Sequence, residues 1–307
     1  MPDAEEQAVA EAVRGSLGVD AREIEPAPGG HHGVWFVVAG DESVVVKSSP
    51  LVQFEAWAAT AVREFKVPAA EVLAVEPAAS SPLRHGHLIS RRLPGSPLRA
   101  PGATVDRPAV ARHAGVVLRR IHEVTGTGFG APRGELLRTS GEVRGAQATW
   151  PRAIETWVDR HLGHLVPDAI DAPTAARIRS AVAAHEPGLA RHERSTLLHG
   201  DYTHRHVLVL PDEPRIIGVL DFDGGLFGAP AFDLAVWSIA SPDVNDLALG
   251  YEPDPEARRA LLDQLPLYRL VRYAAEVRWA LVAGVDPHPA TERMLRGLAV
   301  VEAALDA

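Results

Sequence analysis

Apolar residues recur at helical spacing from Ala4 to Leu17, where Val9, Ala10, Val13 and Leu17 stand among acids, and this predicts an amphipathic opening helix. The chain breaks at Pro26-Ala27-Pro28-Gly29-Gly30. Val34 to Val38 and Ser43 to Lys47, on either side of Gly40-Asp41, then read as two strands joined by a turn. Phe54, Trp57, Ala58, Ala61 and Phe65 lie on one face of a helix that Val67-Pro68 ends. Val72 to Val75 and Gly86 to Ser90 read as further strands before the break Leu93-Pro94-Gly95-Ser96-Pro97. The boundary this sets near residue 92 divides the chain into lobes 1–92 and 93–307.

Beyond it, Ala109 to His122 predicts a buried helix, and the glycine-rich stretch Gly126 to Gly145 reads as loop. Thr149 to Leu165, Ala175 to His185, Pro230 to Ala240, Pro255 to Leu265, Leu267 to Ala283 and Ala290 to Leu305 have helical patterns, several opened by a Thr or Pro signal. Two short apolar strands, Val207 to Val209 and Ile216 to Leu220, flank Pro211-Asp212-Glu213-Pro214 as a hairpin. The expected class is therefore α+β, with a small strand-rich N-terminal lobe and a larger, mostly helical C-terminal one.

Bulk properties narrow the functions. A chain of 307 residues, 46% hydrophobic and 23% charged, has the composition of a folded globular protein. Its net charge of −9 argues against a nucleic-acid partner, which needs clustered cations to displace phosphate counterions. Cysteine is absent, which excludes disulfides, thiolate zinc sites and a cysteine nucleophile, and fits a reducing cytoplasm. The first twenty residues lack the basic start and apolar core of a signal peptide, and no apolar run reaches the roughly 18 residues of a membrane span.

Candidate chemistry concentrates in Leu198-His199-Gly200-Asp201 and, after the second hairpin strand, Leu220-Asp221-Phe222-Asp223. The hairpin is expected to gather Asp201, His206 and Asp221. One carboxylate can deprotonate a hydroxyl while a second carboxylate and a neutral ligand hold magnesium against nucleotide phosphates, which suits phosphoryl transfer.

His199-Gly200-Asp201, four residues, His206, a strand and Asp221-Phe222 resemble the catalytic pattern of the aminoglycoside phosphotransferase (antibiotic kinase) family. Gly228-Ala229-Pro230-Ala231-Phe232-Asp233-Leu234-Ala235 is similar to the family's Gly-x-Pro-x-x-Asp-Leu-Ala segment. The resemblance implies a protein-kinase-like two-lobe fold and transfer of the γ-phosphoryl group of ATP or GTP, with Mg2+, to a hydroxyl of a small natural product such as an aminoglycoside, macrolide or nucleoside antibiotic. Carried over by position, it makes Asp201 the catalytic base, His206 and Asp221 the metal ligands, and His199 and Asp233 supports of the loop. Asp233 also reads as the N-terminal cap of a helix over Leu234 to Ile239. The family usually has Asn where this chain has His206. Macrolide kinases, which favour GTP, resemble the chain in having His there, so the departure weakens an aminoglycoside acceptor more than a kinase.

A kinase also needs a strand lysine for the phosphates and a helical acid to position it. Lys47 ends Val44-Val45-Val46-Lys47, and it and Lys66 are the only lysines among 31 basic residues. Glu55 is the expected partner, with Glu64 the runner-up. Gly29 and Gly30, before the first hairpin strand, are candidate phosphate-loop residues. Ser90 and Arg92 are candidates for the hinge beside the purine.

Other readings lead elsewhere. His199, His204 and His206 with a carboxylate suggest a zinc hydrolase, although that leaves Lys47 unexplained. His206 in place of Asn suggests a non-catalytic nucleotide-binding pseudokinase. His31, His32, His85 and His161 read as surface residues. Trp150, Trp157, Trp237, Trp279 and Tyr273 are candidates to stack on an acceptor, though aromatics at helical spacing are mostly core.

Overall fold

In the computed structural model, which describes residues 4–27, 33–98, 106–211 and 213–305, α1 (Ala4–Leu17) is followed by β1 (Ala21–Pro26), β2 (Gly33–Ala39) and β3 (Glu42–Ser48). Then come α2 (Val52–Glu64), β4 (Val72–Glu76), β5 (His87–Arg91), β6 (Ser96–Pro97), α3 (Arg107–Ile121), β7 (Phe129–Pro132), α4 (Gly134–Ser140) and β8 (Gly145–Gln147). After α5 (Trp150–Leu165), α6 (Ala172–Ala184) and α7 (Glu186–Leu189) come β9 (Thr196–Leu198), β10 (Val207–Val209), β11 (Ile216–Val219), a 3-10 turn (Phe222–Gly224) and β12 (Leu226–Gly228). The chain closes with α8 (Ala231–Ala240), α9 (Val244–Tyr251), α10 (Pro255–Leu262), α11 (Leu265–Ala283) and α12 (His288–Leu305).

These elements form two compact units. One comprises Met1–Asp106, Arg133–Val143 and Arg205–Gly225, and the other Arg107–Pro132, Arg144–His204 and Leu226–Ala307.

In the first unit an antiparallel sheet has the order β1-β2-β3-β5-β4. Side chains alternate across a strand, so each face needs its own cover. Val9, Ala12 and Val13 of α1 pack on Trp35, Val37, Val44, Val46 and Ile89 of one face. Val52 and Ala56 of α2 pack on Leu88 of the other. Val45 and Lys47 share that second face. A smaller sheet, β11-β10-β6, belongs to the same unit.

The second unit is mostly helical around a sheet of order β8-β7-β12-β9. Trp150, Trp237, Tyr202, Tyr268, Phe227 and Phe232 are fully buried there. Thr149 caps α5 through its side chain, as its type and place predict. Helices α3 and α9 approach so closely that a Cβ at Gly115 would collide with the Leu247 carbonyl and one at Gly250 with the Arg112 carbonyl.

Several elements depart from the periodicity. Gly126 to Gly145 is not all loop: β7 and β8 form by pairing with each other and with β12, a tertiary contact that no local pattern reports. Strand β1 carries Arg22, Glu23 and Glu25 on an edge, and edge exposure removes the apolar alternation. His161 is buried rather than on the surface: its Nδ1–H donates to the Trp157 carbonyl at 2.6 Å and its ring stacks on Trp157. Trp150 and Trp237 are core, and Trp279 is exposed.

The α3–α9 contact makes a stability prediction. Gly250→Ala should destabilise by about 1–3 kcal/mol, because two backbones must part to admit one methyl group. Gly163→Ala, in α5 with open space at its Cβ, should stabilise by about 0.5–1 kcal/mol. Urea unfolding measures both, and equal effects would contradict the close-approach argument.

Candidate active site

Lys47 is the sixth residue of β3 and faces α2, whose first turn carries Glu55. The Phe54 ring beside it fills the space where Gly225 would carry a Cβ. Helix α2 is thus seated against the 3-10 turn, with Glu55 pointing at the lysine. Lys47 Nζ lies 2.8 Å from Glu55 Oε2, 2.7 Å from Asp221 Oδ1 and 3.1 Å from Asp223 Oδ2. Glu64, at the far end of α2, is exposed.

Asp221 follows β11 in a left-handed backbone conformation, φ 68°, which Asp tolerates better than most residues. That turn directs its carboxylate to Lys47. His206 precedes β10, its carbonyl accepting from the Leu220 amide at 2.8 Å, and its Nε2 lies 3.6 Å from Asp221 Oδ2.

Four ionisable groups packed this closely shift one another. Burial, the largest single influence on Lys47, opposes its charge, yet Glu55, Asp221 and Asp223 outweigh it and hold the ammonium well above its ordinary range. Burial pushes the Glu55 carboxyl up to about 7 despite Lys47. Burial also raises Asp223, with the neighbouring Asp221 adding to it. Asp221 goes the other way: Lys47 and His206 overcome burial and hold it well below the usual carboxylate range. One ammonium does not satisfy three carboxylates, and two of them are pushed toward their protonated forms.

That deficit bears on a metal. Glu55, Asp221 and Asp223 each offer a ligand oxygen within 4.8 Å of the others, the single such group of three among the described residues. Hard carboxylate oxygens short of positive charge fit Mg2+. The group contains no imidazole, unlike the histidine cluster of a zinc hydrolase. Asp223, absent from the ligands expected from sequence, belongs to the group, whereas His206 stands beside it.

Ser90 on β5 pairs with Val45, two rungs from the Lys47–Leu88 pair, and so shares the face of Lys47. The Arg91 and Arg92 amides donate to the Glu71 and Ser43 carbonyls, and the Arg92 guanidinium lies over the Phe36 ring at 3.9 Å. Gly29 and Gly30 lie outside the described residues.

The loop bearing Asp201 belongs to the second unit. It follows β9, which pairs with β12, and β12 leads into α8. Asp233, in the first turn of α8, is fully buried and accepts from the His199 amide at 2.7 Å and the Gly200 amide at 2.9 Å. It does not cap its own helix, which begins after Pro230. Gly200 has φ 78°, a conformation that a side chain would strain. Tyr202 anchors the far end of the loop by donating to the Ala114 carbonyl at 3.0 Å.

Behind Asp233 stand two residues that the motif reading missed. His122 Nε2 lies 3.1 Å from Asp233 Oδ2 and its Nδ1 2.9 Å from the Tyr251 hydroxyl. A carboxylate accepts, so Nε2–H donates to it, and a neutral ring then accepts from tyrosine at Nδ1. The available signal is weak: His122 directly follows α3, a helix that already carries Arg107, Arg112, His113, Arg119 and Arg120. Arg272 of α11 donates to Asp201 Oδ1 at 3.0 Å.

The profile of the phosphotransferase enzyme family matches residues 23–291, most of the chain. The chain belongs to this family. It is an enzyme, a phosphotransferase with the protein-kinase-like fold expected from its motifs. A structure of the aminoglycoside phosphotransferase APH(4)-Ia, in ternary complex with AMP-PNP and hygromycin B, is similar with TM-score 0.71 at 20% identity, covering 97% of this chain and 98% of that one. A candidate fructosamine-3-kinase from Thermobifida fusca YX-ER1 has TM-score 0.68 at 20% identity, covering 97% and 99%. The phosphotransferase is also 27% identical over 135 residues to acyl-CoA dehydrogenase family member 10 of Mus musculus. That match takes in 44% of this chain and 11% of the mouse protein's length. Among the described residues of the phosphotransferase, no helix is long and apolar enough to cross a membrane.

The raised carboxyl of Glu55 ties stability to pH. A folded-state value near 7 against an ordinary 4.5 means a contribution to stability that is complete below 4.5 and lost as pH rises through about 7. Relative to Glu55→Gln, the wild-type protein should lose on the order of 3 kcal/mol between mildly acidic and mildly alkaline buffer. Parallel pH profiles in urea unfolding would contradict this.

Proposed function

We propose that the enzyme transfers the γ-phosphoryl group of ATP or GTP, with Mg2+, to a hydroxyl group of a small natural product. The observation that carries this reading is the anchoring of Lys47 by Glu55 beside Asp221 and Asp223, because a lysine held at the end of a strand next to paired carboxylates is suited to nucleotide phosphates. The likeness to a phosphotransferase complexed with AMP-PNP and hygromycin B supports a triphosphate donor and a hydroxylated acceptor.

In this reading Glu55 orients Lys47, and the ammonium binds the phosphates. Asp221, with Asp223 and His206 beside it, holds Mg2+; when bound, the metal neutralises charge developing on the phosphate oxygens. Ser90, on the face of Lys47, and Arg92 two residues on border the base, and Gly29 and Gly30 are the residues assigned to the phosphates. Asp201 accepts the acceptor's hydroxyl proton as the new O–P bond forms and the bond to the leaving nucleoside diphosphate breaks. Arg272 fixes the orientation of Asp201, and Asp233 fixes the loop through His199 and Gly200. His206 supplies the imidazole where most of the family has an amide. That substitution is compatible with either donor nucleotide.

The test is release of nucleoside diphosphate together with a product one phosphoryl group heavier by mass spectrometry. Asp201→Asn should lower kcat by about 10²–10⁴-fold while leaving nucleotide affinity intact. Full activity in that variant would overturn the assignment of the base.

A further inference from the structure

A cavity of about 690 Å³ opens in the second unit between α5, α6 and α7, a size that suits a small molecule. Its floor is apolar: Phe129, Trp150, Val158, Val182 and Leu189 line it and are all buried. Trp150 spends its Nε1–H on the Tyr268 hydroxyl at 2.8 Å, and its ring lies 6.5 Å from that of Phe129. These side chains therefore offer a ligand apolar surface and no free polar group. None of the residues assigned to phosphoryl transfer lines the cavity. The wall that carries His192 and Glu193 runs directly into β9, the strand before the Asp201 loop.

The rim is charged, and its charge is unbalanced. Four carboxylates, Glu155, Asp159, Glu186 and Glu193, face two guanidinium groups, Arg152 and Arg179. Each arginine is already paired, Arg152 with Glu155 and Arg179 with Asp159 at 2.7 Å. His192 donates from Nε2 to Gln264 Oε1 at 2.9 Å. Glu186 and Glu193 make no ion pair or side-chain hydrogen bond among the described residues. The rim thus has two carboxylates to spare and no unpaired arginine. A ligand that brings donors and positive charge complements it, whereas an anion meets like charge.

We propose that this cavity is an accessory binding site for a small organic cation, an amine carried on an aromatic or branched apolar body. The body lies on the floor of Phe129 and Trp150, and the ammonium lies at Glu186 and Glu193. Burial of apolar surface against the floor supplies affinity, and the surplus carboxylates select the sign of the charge. The proposal does not rest on the roles given to Asp201 or Lys47, so it stands or falls apart from the phosphoryl-transfer reading.

Three ligands that share one body test it: tryptamine as the cation, tryptophol as the neutral member and indole-3-propionate as the anion, with butylamine as a cation that lacks the ring. Binding is measured by calorimetry with Mg2+ and AMP-PNP present, which keeps the carboxylates around Lys47 from competing for the amines. Tryptamine should bind about three- to tenfold more tightly than tryptophol. Indole-3-propionate should be the weakest of the three, and butylamine should give no measurable binding. Salt at about 0.5 M should shrink the tryptamine advantage by screening the rim. Glu186→Gln and Glu193→Gln, both at exposed positions, should each reduce that advantage, and the double variant should remove it. Ala183→Trp, at an exposed lining position of α6, fills the cavity and should abolish binding of all three indoles without lowering the urea midpoint. Equal binding of the three, tighter binding of the anion, no binding of tryptamine, an advantage unchanged in the double variant, or tryptamine binding intact in Ala183→Trp would each overturn the proposal.

Discussion

Lys47 Nζ stands inside the first unit within 3.1 Å of three carboxylates, and much around it follows from that crowding. A buried charge is tolerable only when paired, and the desolvation of four ionisable groups is expensive. Strand β3 delivers the ammonium from one side. Helix α2, the left-handed turn at Asp221 and the 3-10 turn deliver acids from others. Each of these local shapes is constrained: the strand by its alternation, the helix by its packing on Leu88, and the 3-10 turn by the Phe54 ring against Gly225. What remains is an excess of negative charge, visible in the upward displacement of Glu55 and Asp223. Carboxylates left in that condition suit a divalent cation and the phosphates it accompanies, and this links the energetics of the cluster to the proposed reaction.

The second unit depends on a different buried carboxylate. Asp233 takes two backbone amides of the Asp201 loop and a histidine that is itself tied to Tyr251. A loop held at its amides keeps its shape without help from the Asp201 side chain. Arg272 then orients that side chain from α11.

What was legible in the sequence was whatever the chemistry forces into local order. Lys47, Glu55, Asp221 and Asp233 could be singled out because strand ends, helix starts and short motifs mark them, and the helices could be found by their apolar period. Less could be read where a role depends on distant partners. His122 and Tyr251 are far apart in sequence and meet only through Asp233. Asp223 stood within the quoted motif, but its approach to Lys47 depends on a turn whose backbone geometry no pattern encodes. His161 reads as a surface residue because a polar side chain on a helix usually is one, and its burial comes from Trp157 and the packing of α5 on its neighbours. Strands β7 and β8 are hidden for a similar reason: each is only three or four residues long, Gly130 in β7 has positive φ, and pairing alone makes them strands.

The proposed role of the Lys47 cluster as a site for a metal and a nucleotide is tested most directly by calorimetric titration with AMP-PNP in the presence and absence of Mg2+. Binding should tighten markedly with the metal, and Asp221→Asn should abolish that tightening while the protein remains folded. Equal affinity with and without magnesium, unchanged in Asp221→Asn, would contradict the central claim.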